Sequence, residues 1–133
     1  MTSHRILQLN AASTAACALG MLAARGALYP LFGLASPVLL DLTAVGFLLY
    51  AGALVLAARR QPVTRVTLMA FTVADVVWVV ASAAILVLFW GQLTVAGRLL
   101  IIAVALVVEG FATLQFRAAG RAPGAGMTGS FAY

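Results

Sequence analysis

The stretch Val66 to Trp90 reads VTLMAFTVADVVWVVASAAILVLFW and contains one ionisable side chain, Asp75. A helix needs about 20 mostly apolar residues to cross the hydrocarbon core of a bilayer. This stretch is long enough, and Asp75 lies well inside it. An ionisable group at such depth is costly, so it marks a buried polar contact or a functional site. Three more stretches read the same way: Ile6 to Leu28, Val38 to Ala58 and Val95 to Phe116. The chain is 65% hydrophobic and 8% charged, too little charge to cover a soluble globule. The expected fold is therefore all-α and integral to a membrane. Connections of roughly 5–10 residues make sequential helices antiparallel neighbours. Residues 1–117 should thus form four transmembrane helices in an up-down-up-down bundle.

Local signals support these spans. Pro30 and Pro37 bracket a short loop, Tyr29 to Pro37. Ser36 suits an N-cap, with Pro37 at the first helical position, where its missing N–H costs nothing. Arg59, Arg60, Gln61 and Pro62 end the second helix, and Thr64 and Thr94 suit caps of the third and fourth. Trp90 suits the membrane–water interface. Residues 118–133 are rich in Gly, Ala and Pro, the composition of a disordered tail. The first span carries Gln8, Asn10, Ser13 and Thr14, and Thr14-Ala15-Ala16-Cys17 faintly resembles a lipoprotein cleavage motif. Those polar residues interrupt the apolar stretch that a signal peptide needs, so a retained helix is expected.

All eight basic residues are arginine, and the net charge is +5. They sit at the ends of apolar segments, which makes them topology signals rather than a nucleic-acid footprint. With both termini on one side, that side holds Arg5, Arg59, Arg60, Arg65, Arg117 and Arg121; the other holds Arg25 and Arg98. The arginine-rich side, with both termini, is expected in the cytoplasm. Acidic lipid headgroups are the expected partners of Arg59, Arg60 and Arg65. The absence of lysine excludes Schiff-base chemistry at a side chain. One cysteine, Cys17, and one histidine, His4, are too few for an internal disulfide, haem or zinc, so no cofactor or metal is expected. No Ser-His-Asp set, H-E-x-x-H or glycine-rich phosphate loop occurs, and no enzyme is expected.

The three acids, Asp41, Asp75 and Glu109, are the chemical lead. At about 1.5 Å per residue, Thr14, Tyr50 and Glu109 lie about 12 Å from the arginine-rich end, and Asp75 about 14 Å. Each helix thus offers one polar group to a common layer. Thr72, Asp75, Trp78 and Ser82 share a broad face of the third helix, and Glu109 stacks with Thr113 on the fourth. If those faces converge, Asp75 and Glu109 meet. Two carboxylates in low dielectric do not both ionise cheaply, so such a pair could carry a proton or bind a cationic solute. The alternative is structural, a carboxyl group hydrogen-bonded to Tyr50 or Thr14 that fixes the bundle. Asp41 lies about one turn inside the second helix, within reach of an ion pair with Arg25 or Arg98. On the first helix Ala12, Ala16, Gly20 and Ala24 repeat every fourth residue, a spacing that lets backbones approach inside the bundle or between copies.

The stretches Leu40-Asp41-Leu42, Tyr50-Ala51-Gly52 and Ala57-Ala58-Arg59-Arg60 resemble a group of small four-helix bacterial inner-membrane proteins. So do Asp75-Val76-Val77-Trp78-Val79-Val80-Ala81-Ser82 and Phe111-Ala112-Thr113-Leu114-Gln115. The resemblance implies a bacterial inner-membrane bundle and no particular activity. Small multidrug resistance transporters also have four short helices, but their essential glutamate is in the first helix, where this chain has no acid. Two functions are expected from these readings. One is a non-enzymatic accessory or scaffolding subunit that packs against a larger membrane protein. The other is a small homo-oligomeric carrier or channel for a proton or cation, built on Asp75 and Glu109 with Tyr50, Thr14 and Trp78.

Overall fold

A computed structural model describes residues 1–122, which fold into five helices and no strand. They are α1 (Ser3–Ala23), α2 (Arg25–Leu31), α3 (Val38–Arg59), α4 (Arg65–Leu88) and α5 (Val95–Ala119). All but α2 are long and apolar enough to cross a membrane. The outward surface is apolar as well: Val87 is 79% exposed and Leu49 72%. A monomer in water rarely exposes so much contiguous apolar area, whereas a bilayer solvates it.

Side chains set the helix ends. Thr64 Oγ accepts from the Thr67 N–H at 3.2 Å, and Thr94 Oγ from the Gly97 N–H at 3.1 Å, the expected caps. Ser36 Oγ accepts from the Val38 N–H at 3.2 Å, although Pro37 itself is the capping residue of α3. The first span differs from expectation. Its helix stops at Ala23, the chain turns at Ala24 (φ −103°, ψ 15°), and α2 continues to Leu31 through Pro30. The expected loop thus begins only after Leu31. α2 closes with Leu34 N–H donating to the Tyr29 carbonyl and Gly33 N–H to that of Pro30. This pairing needs a left-handed residue, and Gly33 (φ 70°) supplies it. A Cβ there would collide with the Gln92 carbonyl, so the α2–α3 and α4–α5 loops touch. At its far end α5 runs past Phe116 to Ala119, which is buried. The start of the expected tail is therefore helical, and its residues 123–133 lie outside the described residues.

Packing is uneven. α1 lies closely against α3, and α4 against α5; α1 touches α5 more lightly, and α3 and α4 stand farther apart. One end of the bundle is closed by Leu7, Ala11, Leu54, Ala58, Val63, Leu68 and Ala119. The start of α1, the end of α3, the start of α4 and the end of α5 therefore meet there. Arg5, Arg59, Arg60, Arg65, Arg117 and Arg121 belong to that end. The opposite end is tied by Thr94 Oγ donating to the Leu31 carbonyl. Gly97 lets α5 approach α2, since a Cβ there would stand 2.7 Å from the same carbonyl oxygen.

Candidate functional site

Asp75 is 3% exposed, and its carboxylate is the meeting point of all four long helices. Asn10 Nδ2 from α1 donates to Oδ2 at 3.0 Å, and Gln115 Nε2 from α5 donates to the same oxygen at 3.0 Å. Tyr50 Oη from α3 donates to Oδ1 at 2.6 Å. Thr14 Oγ extends the network by donating to Asn10 Oδ1 at 3.2 Å. Tyr50 Oη also stands 3.4 Å from the Phe71 carbonyl oxygen, a second acceptor for its proton. The tyrosine can therefore donate to an ionised Asp75, or accept from a protonated one and donate to Phe71. The network accommodates either state of the carboxyl group without moving a heavy atom.

Of the groups expected at this depth, Tyr50 reaches Asp75 directly, Thr14 only through Asn10, and Glu109 not at all. Glu109 is exposed on the outward face of α5, in line with Ile102, Leu106, Thr113 and Phe116. It makes no salt bridge or hydrogen bond among the described residues. The inward face of α5 is Gly97, Ala112, Gln115 and Ala119. Glu109 is six residues from Gln115, about 120° around a helix of 3.6 residues per turn. The two carboxylates do not share a site within one chain. Asn10 and Gln115 take the places expected of Thr14 and Glu109. Both are amides inside apolar segments, a signal as strong as a threonine's.

Beside Asp75 the four long helices line a half-open cavity of about 520 Å³. Phe47 and Trp78, both in its lining, pack edge to face with centroids 4.7 Å apart. Trp78 Nε1 is buried without a partner. Cys17 lines the cavity, while Thr72 and Ser82 turn their hydroxyls onto the Leu68 and Trp78 carbonyls of their own helix. Among the described residues no group of three or more His, Cys, Asp or Glu side chains is gathered to hold a metal ion.

At the opposite end, Arg25 Nη2 lies 3.1 Å from Asp41 Oδ2 in a half-exposed ion pair. Arg98 does not join it. Its guanidinium lies 4.2 Å from the Trp90 ring centroid and donates to the Trp90 carbonyl. Ala12, Ala16, Gly20 and Ala24 are all exposed, so they do not pack within the bundle. α1 instead buries Ile6, Leu7, Asn10, Ala11 and Ala18. At the arginine-rich end His4, Arg117 and Arg121 line a cleft of about 530 Å³.

The geometry defines a multi-pass membrane bundle with a buried polar knot. No protein family, curated protein or solved structure matches the chain.

Proposed function

We propose that this is a non-enzymatic accessory or scaffolding subunit of the bacterial inner membrane, packing against the helices of another membrane protein. Glu109 carries the reading. It lies well inside a span, on an apolar outward face, and has no partner among the described residues. A carboxyl group facing lipid at that depth is costly, and a neighbouring helix with a donor removes the cost. Every arginine of this chain sits near the end of a span, so a second copy brings no cation to that depth. The exposed Ala12, Ala16, Gly20, Ala24 stripe offers a further surface for close approach. The arginine-rich end, with both termini, faces the cytoplasm, its cleft against acidic headgroups.

A photo-crosslinking residue at Leu106, 67% exposed on the Glu109 face, tests this in native membranes. One other membrane protein should be captured, and Glu109→Leu should remove the adduct. Capture of the same chain alone would reject the accessory reading. It would favour the second one, a homo-oligomeric carrier or channel for a proton or small cationic solute, to which the cavity beside Asp75 lends support.

A further inference from the structure

We propose that the cavity beside Asp75 is a binding site for a hydrophobic organic cation, an ammonium or phosphonium group carrying apolar substituents. The site deepens the carrier reading in naming a ligand class. It is independent of the accessory reading, because one chain supplies every residue in it.

Charge comes first. Asp75 is held by three neutral donors and by no cation. The one salt bridge among the described residues, Arg25–Asp41, is at the far end of the bundle. The nearest arginine along α4, Arg65, is ten residues away, about 15 Å. When Asp75 is ionised, the centre of the bundle holds one negative charge that dipoles soften and nothing cancels. Each carboxylate oxygen offers two acceptor positions, and Oδ1 uses one, for Tyr50.

The cavity sets the kind of counter-ion. Its volume of about 520 Å³ suits a small organic molecule. Val104, Val107 and Phe111 make the α5 side of its lining apolar. Two of its three hydroxyls outside Tyr50 are engaged, Thr14 with Asn10 Oδ1 and Thr43 with the Leu39 carbonyl, which leaves few groups to replace the water of an inorganic ion. Phe47 and Trp78 supply aromatic rings, which attract organic cations. One carboxylate, aromatic rings and a largely apolar lining make the complement of a cation with apolar arms.

The test uses the purified full chain in a neutral detergent, with Trp90→Phe so that Trp78 is the only tryptophan. Tetraphenylphosphonium should change the Trp78 fluorescence saturably. Tetraphenylborate, nearly the same shape with the opposite charge, should not. Asp75→Asn should weaken the phosphonium on the order of tenfold or more. Gly46→Leu should abolish binding with Asp75 untouched. Gly46 lines the cavity, and a Cβ there meets no atom within 4 Å, so the variant fills space without a clash at its root. Equal saturable responses to both ions would reduce the site to a greasy gap and overturn the proposal. So would no saturable response, or full affinity in a folded Gly46→Leu protein. Binding by the isolated chain leaves the crosslinking result untouched, so either idea can fail alone.

Discussion

Replacing Asp75 separates the value of its hydrogen bonds from the value of its charge. Asp75→Leu leaves the donors of Asn10, Tyr50 and Gln115 without their acceptor, on three different helices. Interhelical hydrogen bonds in membrane proteins are worth about 0.6 kcal/mol on average and up to about 1.7, so three together come to about 2–5 kcal/mol. Asp75→Asn should behave differently. Its amide oxygen can stand where Oδ2 does and keep both Asn10 and Gln115. Its NH₂ then faces Tyr50, whose hydroxyl accepts it and donates to the Phe71 carbonyl, 3.4 Å away. The expected cost is under about 1 kcal/mol, less than two average bonds of this kind. Unfolding in mixed micelles of rising dodecyl sulfate fraction, followed by far-UV circular dichroism, reads both values. Tyr50→Phe supplies the cross-check. Its cost should be smaller in an Asp75→Leu background than in the native chain, because the bond is already lost. The knot would be energetically idle if Asp75→Leu unfolded with the native midpoint. Equal losses for Asn and Leu would refute the acceptor argument.

Other outcomes follow from the same geometry. Gly97→Ala drives a Cβ to 2.7 Å from the Leu31 carbonyl oxygen, against backbone, and should destabilise by about 1–3 kcal/mol in the same titration. Asp41→Asn breaks a half-exposed ion pair and should cost no more than about 1 kcal/mol, measured as a small midpoint shift. Thr64→Ala removes the α4 cap and should cost about 1 kcal/mol, with faster amide exchange at Thr67. Glu109→Leu, on the outward face, should leave the midpoint of the isolated chain within about 0.5 kcal/mol.

What the sequence disclosed followed the range of each signal. Caps at Thr64 and Thr94 are local, and span length needs only composition, so both were legible. Tyr50 could be matched to Asp75 because a helix converts residue count into depth. Depth says nothing about azimuth. In a soluble bundle the polar face would mark the outside of α5. In lipid both faces are apolar, and Glu109 and Gln115, on different sides of α5, look equivalent in sequence. The small residues of α1 left packing inside the bundle and packing between chains open for the same reason, since exposed Ala16 and buried Ala18 are the same residue type. In sequence Asn10 only dilutes the hydrophobicity of its span, because its partner is 65 residues away. The break at Ala24 carries no proline or capping signal of its own, and Pro30, which does, lies inside α2.

The polar knot also has a chronology. A chain enters the bilayer from its N-terminus, and an aspartate at the centre of an inserting segment costs about 3 kcal/mol. Asn10 and Tyr50 precede Asp75 along the chain, whereas Gln115 follows it by 40 residues. Two of the three donors can therefore greet Asp75 as it leaves the insertion machinery, and the last helix completes the set. Biogenesis and the finished fold draw on the same few side chains. A nascent chain arrested before α5 should retain α4 in the bilayer with Asn10 and Tyr50 intact and release it when both are replaced.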